Sequence, residues 1–373
     1  MSKALITESY LSDIASAIRA KLGVATTYRP SEMAAAIGTI SGGGGGDANF
    51  FYSLLLGSTS GAFSDGTIIS ARSWLSPNNS ALTEVSLPNC NTIGYAAFTG
   101  CSNISEVNLP MCTTLESQAF NSCSNIQSVS LPKCAVVDNY AFNRCTSLPS
   151  VNLPSCSYTG VSAFAYCTSL TSVSLPICAT VDGSTFYACT KLTDIDLPSC
   201  TSLGSCAFSS CASLASVSLP ICATVGALAF CSCVSLTSIE LPVCTSIGLS
   251  TFSACLRLEE ASLPSCATIG NNAFNRCSYL ASISLPLCES IGSSAFISCF
   301  RLLSVYLLGS SLATLGSDAF TSTPITTTYS YTSNIRGSIY VPASLYNDYK
   351  VATNWSAYAA RIVGLTDEQI AAL

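Results

Sequence analysis

The motif Leu-Pro-x-Cys begins at Leu87 and returns every 22 residues, at Leu109, Leu131, Leu153, Leu175, Leu197, Leu219, Leu241, Leu263 and Leu285. No insertion or deletion interrupts these ten copies. A pattern with one short, fixed period builds the same structural unit again and again, and a unit that small cannot bury its own apolar face. Its neighbours must cover it. The expected architecture is therefore a solenoid, with one continuous core and capped ends. The usual inference from 373 residues to two or three globular domains does not apply.

Positions are counted from the Leu of each copy. Cys occupies positions 4 and 15 throughout, and Phe occupies position 12, from Phe98 to Phe296. Position 7 is Ile, Leu or Val except for Thr159, position 18 is Leu or Ile, and position 21 is Val or Ile except for Ala261. Apolar residues at 18, 21 and 1 with polar residues at 20 and 22, as in Val107-Asn108-Leu109, read as a short strand with one buried face. Pro at position 2 has no N–H for a ladder and ends that strand. Gly is frequent at position 8 (Gly94, Gly204, Gly226, Gly248, Gly270, Gly292), where a sharp turn is expected. Phe320 is a late echo of the unit. Stacked at one strand spacing each, ten coils would span roughly 50 Å.

The line Ile104-x-x-Val107-x-Leu109-x-x-Cys112 resembles the core of a leucine-rich repeat. The following Ile-Gly-x-x-Ala-Phe-x-x-Cys-x-x-Leu resembles the BspA-type subclass of that family. The resemblance runs from residue 82 to 320 and implies an α/β-type solenoid, a curved stack of 22-residue turns with parallel strands on its concave side. The expected organisation is a small helical segment over 1–40, a Gly-rich linker over 41–47, an N-terminal cap over 48–81, the solenoid over 82–320 and a C-terminal cap over 321–373. Within that last region Ile339–Pro342 reads as a final strand. Helices are expected from Pro342 and from Asn354, and Thr366 with Gln369 forms a capping-box pattern.

Twenty-two cysteines invite a disulfide reading. Stacking argues against it, because equivalent Cβ atoms in successive coils lie about 4.8 Å apart, beyond the usual disulfide separation. The regular spacing of eleven residues also lacks the close Cys-x-x-Cys pairs of metal sites. Buried thiols acting as small apolar side chains are expected, with Cys206 and Cys231 as two extras outside the pattern.

Residues 1–40 differ in kind. Thr7 can cap a helix from Glu8 to Leu22, with Leu11, Ile14, Ile18 and Leu22 as its apolar stripe, and a second short helix is expected from Pro30. The stretches Ile-Thr-x-x-Tyr-Leu-x-x-Ile-Ala-x-Ala-Ile-Arg from Ile6 and Tyr-Arg-Pro-Ser-Glu-Met-Ala from Tyr28 resemble a module at the front of tail-associated structural proteins of phages and prophages. That resemblance implies attachment to other virion tail proteins through residues 1–40. A homotrimer is the expectation from how phage fibres are usually built.

Composition removes several functions. Histidine is absent, which excludes His-based acid–base catalysis, the common hydrolase triads and His-containing zinc sites. With 14 basic and 20 acidic residues the net charge is -6, which opposes nucleic-acid binding. No run of roughly 18 or more apolar residues suggests a membrane span. The N-terminus does not read as a secretory signal, since Glu8 follows a very short apolar run. No cofactor or metal is expected.

The remaining signal lies at positions 20 and 22, which are mostly Ser but include Asp194, Asp196, Glu240, Glu260 and Tyr306. These are the candidate ligand-binding residues of the concave face. A paired-carboxylate glycosidase or a calcium site at Asp194 and Asp196 is the sharper alternative, and solvated surface acids are the plainer one. The opposite edge carries Arg144, Tyr166, Lys191, Arg257, Arg276, Tyr279 and Arg301 at positions 14 and 17, where scattered charges serve solubility. The expected function is that of a phage or prophage tail-associated, non-enzymatic structural protein, located on the virion. It would present the solenoid for adhesion to a bacterial surface glycan or protein. A BspA-type cell-surface adhesin is the first alternative and a carboxylate-dependent glycan hydrolase the second.

Overall fold

One apolar residue between two polar ones suits a half-buried strand, and the backbone takes up a three-residue strand at positions 20 to 22 in coil after coil. The computed structural model describes residues 68–69, 83–88, 90–326 and 336–373. Glu106–Asn108, Ser172–Ser174, Asp194–Asp196, Glu260–Ser262 and Ser304–Tyr306 are examples of these strands. Val107, Val173, Ile239, Ile283 and Val305 at position 21 are buried. Pairing is parallel and shifted by one repeat, with Val107 opposite Val129 and Val173 opposite Ile195. These strands gather into sheets of three, three and four, the last extended to six by two strands of the C-terminal end.

A second strand lies at positions 6 and 7, where none was expected. Thr92–Ile93, Ser202–Leu203 and Ser290–Ile291 belong to it. One twelve-stranded parallel sheet runs from Ile68–Ile69 to Thr314–Leu315. Two residues are too few for an alternating pattern to show in the sequence. With both ladders in register the fold is the expected solenoid of stacked 22-residue coils. The segment 1–40 and the linker 41–47 lie outside the described residues. So does the cap expected at 48–81, apart from the strand Ile68–Ile69.

Positions 8 to 15 close each coil through tight turns that are bonded in two directions. The N–H groups at 10, 12 and 14 donate to the next coil, as in Ala96 to Ser117 (2.9 Å), Phe98 to Ala119 (2.8 Å) and Gly100 to Asn121 (2.7 Å). Those at 11, 13 and 15 donate within the coil, as in Ala97 to Gly94 and Cys101 to Phe98. Positions 10 and 14 are left-handed in every coil, and side chains as large as Tyr140 (φ 58°), Arg144 (φ 61°) and Leu228 (φ 61°) stand there. Such a conformation costs roughly 1–2 kcal/mol in a non-glycine residue, and the ladder bonds on either side hold it.

The glycines of position 8 therefore serve a different purpose from the expected turn. A Cβ on Gly204 would stand 2.4 Å from the backbone nitrogen of Gly183, and one on Gly226 2.5 Å from that of Ser205. Close approach of consecutive coils selects glycine there, and the left-handed residues come two and six positions later.

The core is a column of like groups. From Phe98 to Phe320 each ring stacks on the next with centroids 5.0 to 5.6 Å apart and planes within 20°. That spacing lies within the favourable range for offset rings. All 22 cysteines are free thiols, and all but Cys206 and Cys231 are buried. Each set also makes a bond. At position 15 the thiol donates to the Phe carbonyl of the preceding coil, as from Cys123 to Phe98 (2.9 Å) and Cys145 to Phe120 (3.3 Å). At position 4 it donates to the position 6 carbonyl of its own coil, as from Cys134 to Val136 (3.3 Å).

The C-terminal end is built differently. Strand Ser338–Pro342 leads through a 3-10 turn, Ala343–Leu345, into a helix at Tyr346–Val351. The helix expected from Asn354 is a 3-10 segment, Trp355–Arg361. Ser338–Pro342 is not the last strand, because Ile362–Leu365 pairs with it in parallel. Asp367–Ala371 is helical, with the capping box between Thr366 and Gln369 formed in both directions.

The twelve-stranded sheet ends at Thr314–Leu315, whose free edge would otherwise offer unpaired backbone groups. Three side chains take them. Tyr349 Oη accepts from Ala313 N at 3.1 Å, Trp355 Nε1 donates to Ala313 O at 2.7 Å and Asn354 Nδ2 donates to Leu315 O at 2.6 Å.

Two outcomes are expected. Phe208→Ala removes a fully buried ring held between Phe186 and Phe230, at a cost of about 3–5 kcal/mol measurable by urea denaturation. Burial pushes the thiol of Cys112 to about 11 and that of Cys134 to about 12, against an ordinary 9.0. At pH 8 a thiol reagent should then modify only half-buried Cys206 and Cys231 in the native protein, and all 22 after denaturation. Unfolded thiols ionise above pH 9 while buried ones such as Cys112 and Cys134 stay protonated. Stability should accordingly fall as pH rises from about 9 towards 12.

Candidate functional site

Most side chains of each coil are committed to stacking. Those at positions 20 and 22 are not, because the pleat turns them outward on either side of a buried position 21. Asp194 and Asp196 flank Ile195 on one exposed strand face. Asp194 accepts from Thr193 Oγ1 at 3.2 Å, and Asp196 accepts from Ser174 Oγ at 3.2 Å. Both carboxylates are open to solvent. Their strand ends a three-stranded sheet, while Glu240, Glu260 and Tyr306 belong to the six-stranded one. An isolated bridge, Ser218 to Glu240, reaches back from that sheet towards the pair.

The structure brings Glu260 and Tyr306 together. They line an open cleft of about 430 Å³ with Glu259, Ser262, Ser282, Ser284 and the prolines Pro264 and Pro286. Asp194, Asp196 and Glu240 are not among its lining residues. The cleft opens where the sheet is loosest. Strands Glu260–Ser262 and Ser282–Ser284 are in register only at Ser262 and Ser284, whereas Ser282–Ser284 and Ser304–Tyr306 match at three positions. Ala261, which replaces the usual β-branched residue of position 21, lies in that loosened strand and lines the cleft.

Tyr306 is half-buried and has a partner that the repeat did not reveal. Tyr340 stands opposite it in register, and the two rings stack at 4.7 Å with planes 12° apart. The period of 22 fails there, because 34 residues separate the two tyrosines. Glu259, Pro264 and Pro286 were also missed. Pro264 and Pro286 are invariant features of the repeat, so nothing in the sequence marks these two copies as special.

On the opposite edge two of the five basic residues lie over tyrosine rings. Arg301 lies over the Tyr279 ring at 4.1 Å, and Arg144 over the Tyr166 ring at 5.3 Å. Both are exposed pairs within one wall of the rod. Among the described residues no group of three or more His, Cys, Asp or Glu is arranged to hold a metal ion. No helix among them is long and apolar enough to cross a membrane.

A leucine-rich repeat protein from Bacteroides ovatus aligns at 20% identity over 76% of this chain and 92% of its own, with a TM-score of 0.42. A T. pallidum leucine-rich repeat protein is 33% identical over 42% of this chain and 75% of its own, with a TM-score of 0.38. A leucine-rich cell surface protein from Faecalibacterium prausnitzii is 20% identical over 76% and 83%, with a TM-score of 0.36. No curated protein matches the chain. The BspA type leucine-rich repeat region matches over residues 76–193, 158–243 and 201–327, a span of more than half the sequence. The repeated coil, with its buried Phe and thiol columns, makes this chain a member of the BspA-type leucine-rich-repeat family.

Proposed function

We propose that this protein is a non-catalytic adhesive solenoid that binds a bacterial surface component through its position 20 and 22 face. One observation carries the reading. In a coil where most residues are spent on stacking, this face presents a long, ordered row of hydroxyls and carboxylates, with a cleft at Glu260 and Tyr306. Tyr is among the residues that dominate binding hot spots. The exposed pair Asp194 and Asp196 adds acceptors along the same face and lacks the enclosure that a glycosidase needs.

Two settings suit such a module. The module-like segment at 1–40 favours display on a phage or prophage tail, where many copies would raise weak contacts by avidity. Family membership suits a cell-surface adhesin equally. Immunogold labelling of a producing culture, before and after lysis, separates the two.

The adhesion reading is tested by flow cytometry with the fluorescently labelled full chain on a panel of bacterial cells. Glu260→Ala combined with Tyr306→Ala should weaken cell binding about tenfold or more while the chain stays folded, its thermal unfolding lowered only by the lost Tyr306–Tyr340 stack. Wild-type protein that labels no cells, or a double variant that labels them as well as wild type does, would overturn it.

A further inference from the structure

The cleft beside Tyr306 has a shape that narrows the ligand class, an inference that rests on the adhesion reading and goes further. Position 22 runs Tyr340, Tyr306, Ser284, Ser262 across consecutive strands, each in register with the next. Two stacked rings are followed by two small side chains. Tyr340 covers one face of Tyr306. On the other side the neighbour is Ser284, too small to reach a ring standing one strand away, so the second face of Tyr306 looks into the cleft. Adjacent strands lie about 4.8 Å apart, so the empty place above Ser284 is one ring deep. A flat ring seated there would continue the tyrosine stack.

The rest of the lining says which ring. Ser262, Ser282 and Ser284 supply hydroxyls that both donate and accept, whereas the carboxylates of Glu259 and Glu260 only accept when ionised. No Lys or Arg lines the cleft, so an anionic ligand meets carboxylates with nothing to neutralise it. The floor is formed by central strands of a six-stranded sheet, which leaves no free edge to which a peptide strand can add. A ligand with a flat apolar face, an edge rich in O–H donors and no negative charge fits all three conditions. The volume of about 430 Å³ is that of a small-molecule cleft rather than of a protein-sized interface.

We propose that this cleft is a saccharide subsite that takes an uncharged pyranose unit of a surface glycan. One sugar face stacks on Tyr306 over Ser284, and its hydroxyls donate to Glu260.

The test titrates the full chain calorimetrically with uncharged oligosaccharides, namely gluco-, manno- and galacto-oligomers and N-acetylglucosamine oligomers, alongside a polyanionic glycan and an extended peptide. At least one uncharged oligomer should bind, and the polyanion and the peptide should not. Tyr306→Ala should lower that affinity about tenfold, and Tyr306→Phe should retain most of it because the ring face remains. Ser284→Tyr fills the slot with a third ring. It should abolish binding while leaving the melting temperature at or above that of wild type. Absence of binding to every uncharged oligomer would overturn the proposal, as would undiminished binding by a folded Ser284→Tyr variant. Cell adhesion that survives periodate oxidation of the cells but is lost after protease treatment would sink the saccharide reading and leave adhesion standing. Absence of cell binding together with a positive titration would do the reverse.

Discussion

In-register stacking of each coil on the one before it is the constraint on which every other feature rests. Two parallel ladders and the bonds between turn residues set a single repeat distance, and every side chain in the interior has to accept it. The rings from Phe98 to Phe320 meet face to face because equivalent positions can meet in no other way, and the resulting separation of 5.0 to 5.6 Å follows the coil rise. Position 8 is Gly in most coils because backbone from the preceding coil passes within 2.3 to 3.3 Å of where a Cβ would stand at Gly204, Gly248 and Gly316. Ordinary residues tolerate the left-handed conformation at positions 10 and 14 because their N–H groups are held by carbonyls of the next coil and the turn around them is closed by bonds within their own.

Cysteine is well suited to such a column. Its side chain is small enough to repeat at one strand spacing without clashing, and it carries a weak donor that a Val or Ala would lack. At position 15 that donor reaches a Phe carbonyl which already accepts a backbone bond, as Phe120 does from Cys123 N and Cys145 Sγ. A second lone pair is thereby used inside the core. In coils where a different residue intrudes, the balance shows. Thr159 replaces the aliphatic residue of position 7 and leaves its buried hydroxyl without a hydrogen-bond partner.

Much of the fold could be read from the sequence because its information is repeated ten times. The strand at positions 20 to 22, the inward Phe, the buried thiols and the capping box at Thr366 all follow from local pattern. The two-residue strand at positions 6 and 7 did not, since so short a segment has no periodicity of its own. The purpose of Gly at position 8 was also hidden, because a contact between coils leaves the same trace as a turn. For the site, Glu260 and Tyr306 stood out as departures from a serine background. Their meeting in one cleft depends on the looser pairing around Ala261 and on Tyr340, which arrives after the period has been broken. Where the repeat ends, sequence spacing stops reporting spatial neighbours.

Tyr349, Asn354 and Trp355 occupy the backbone groups at the last edge of the twelve-stranded sheet. All three lie beyond the repeats, and they read only the terminal coil. Whatever happens upstream, that lid meets the same surface. A gene of this design can therefore gain or lose whole 22-residue units by unequal recombination and still finish in a sealed end. Reach would change in discrete steps, while the cleft next to the lid travels with it unchanged.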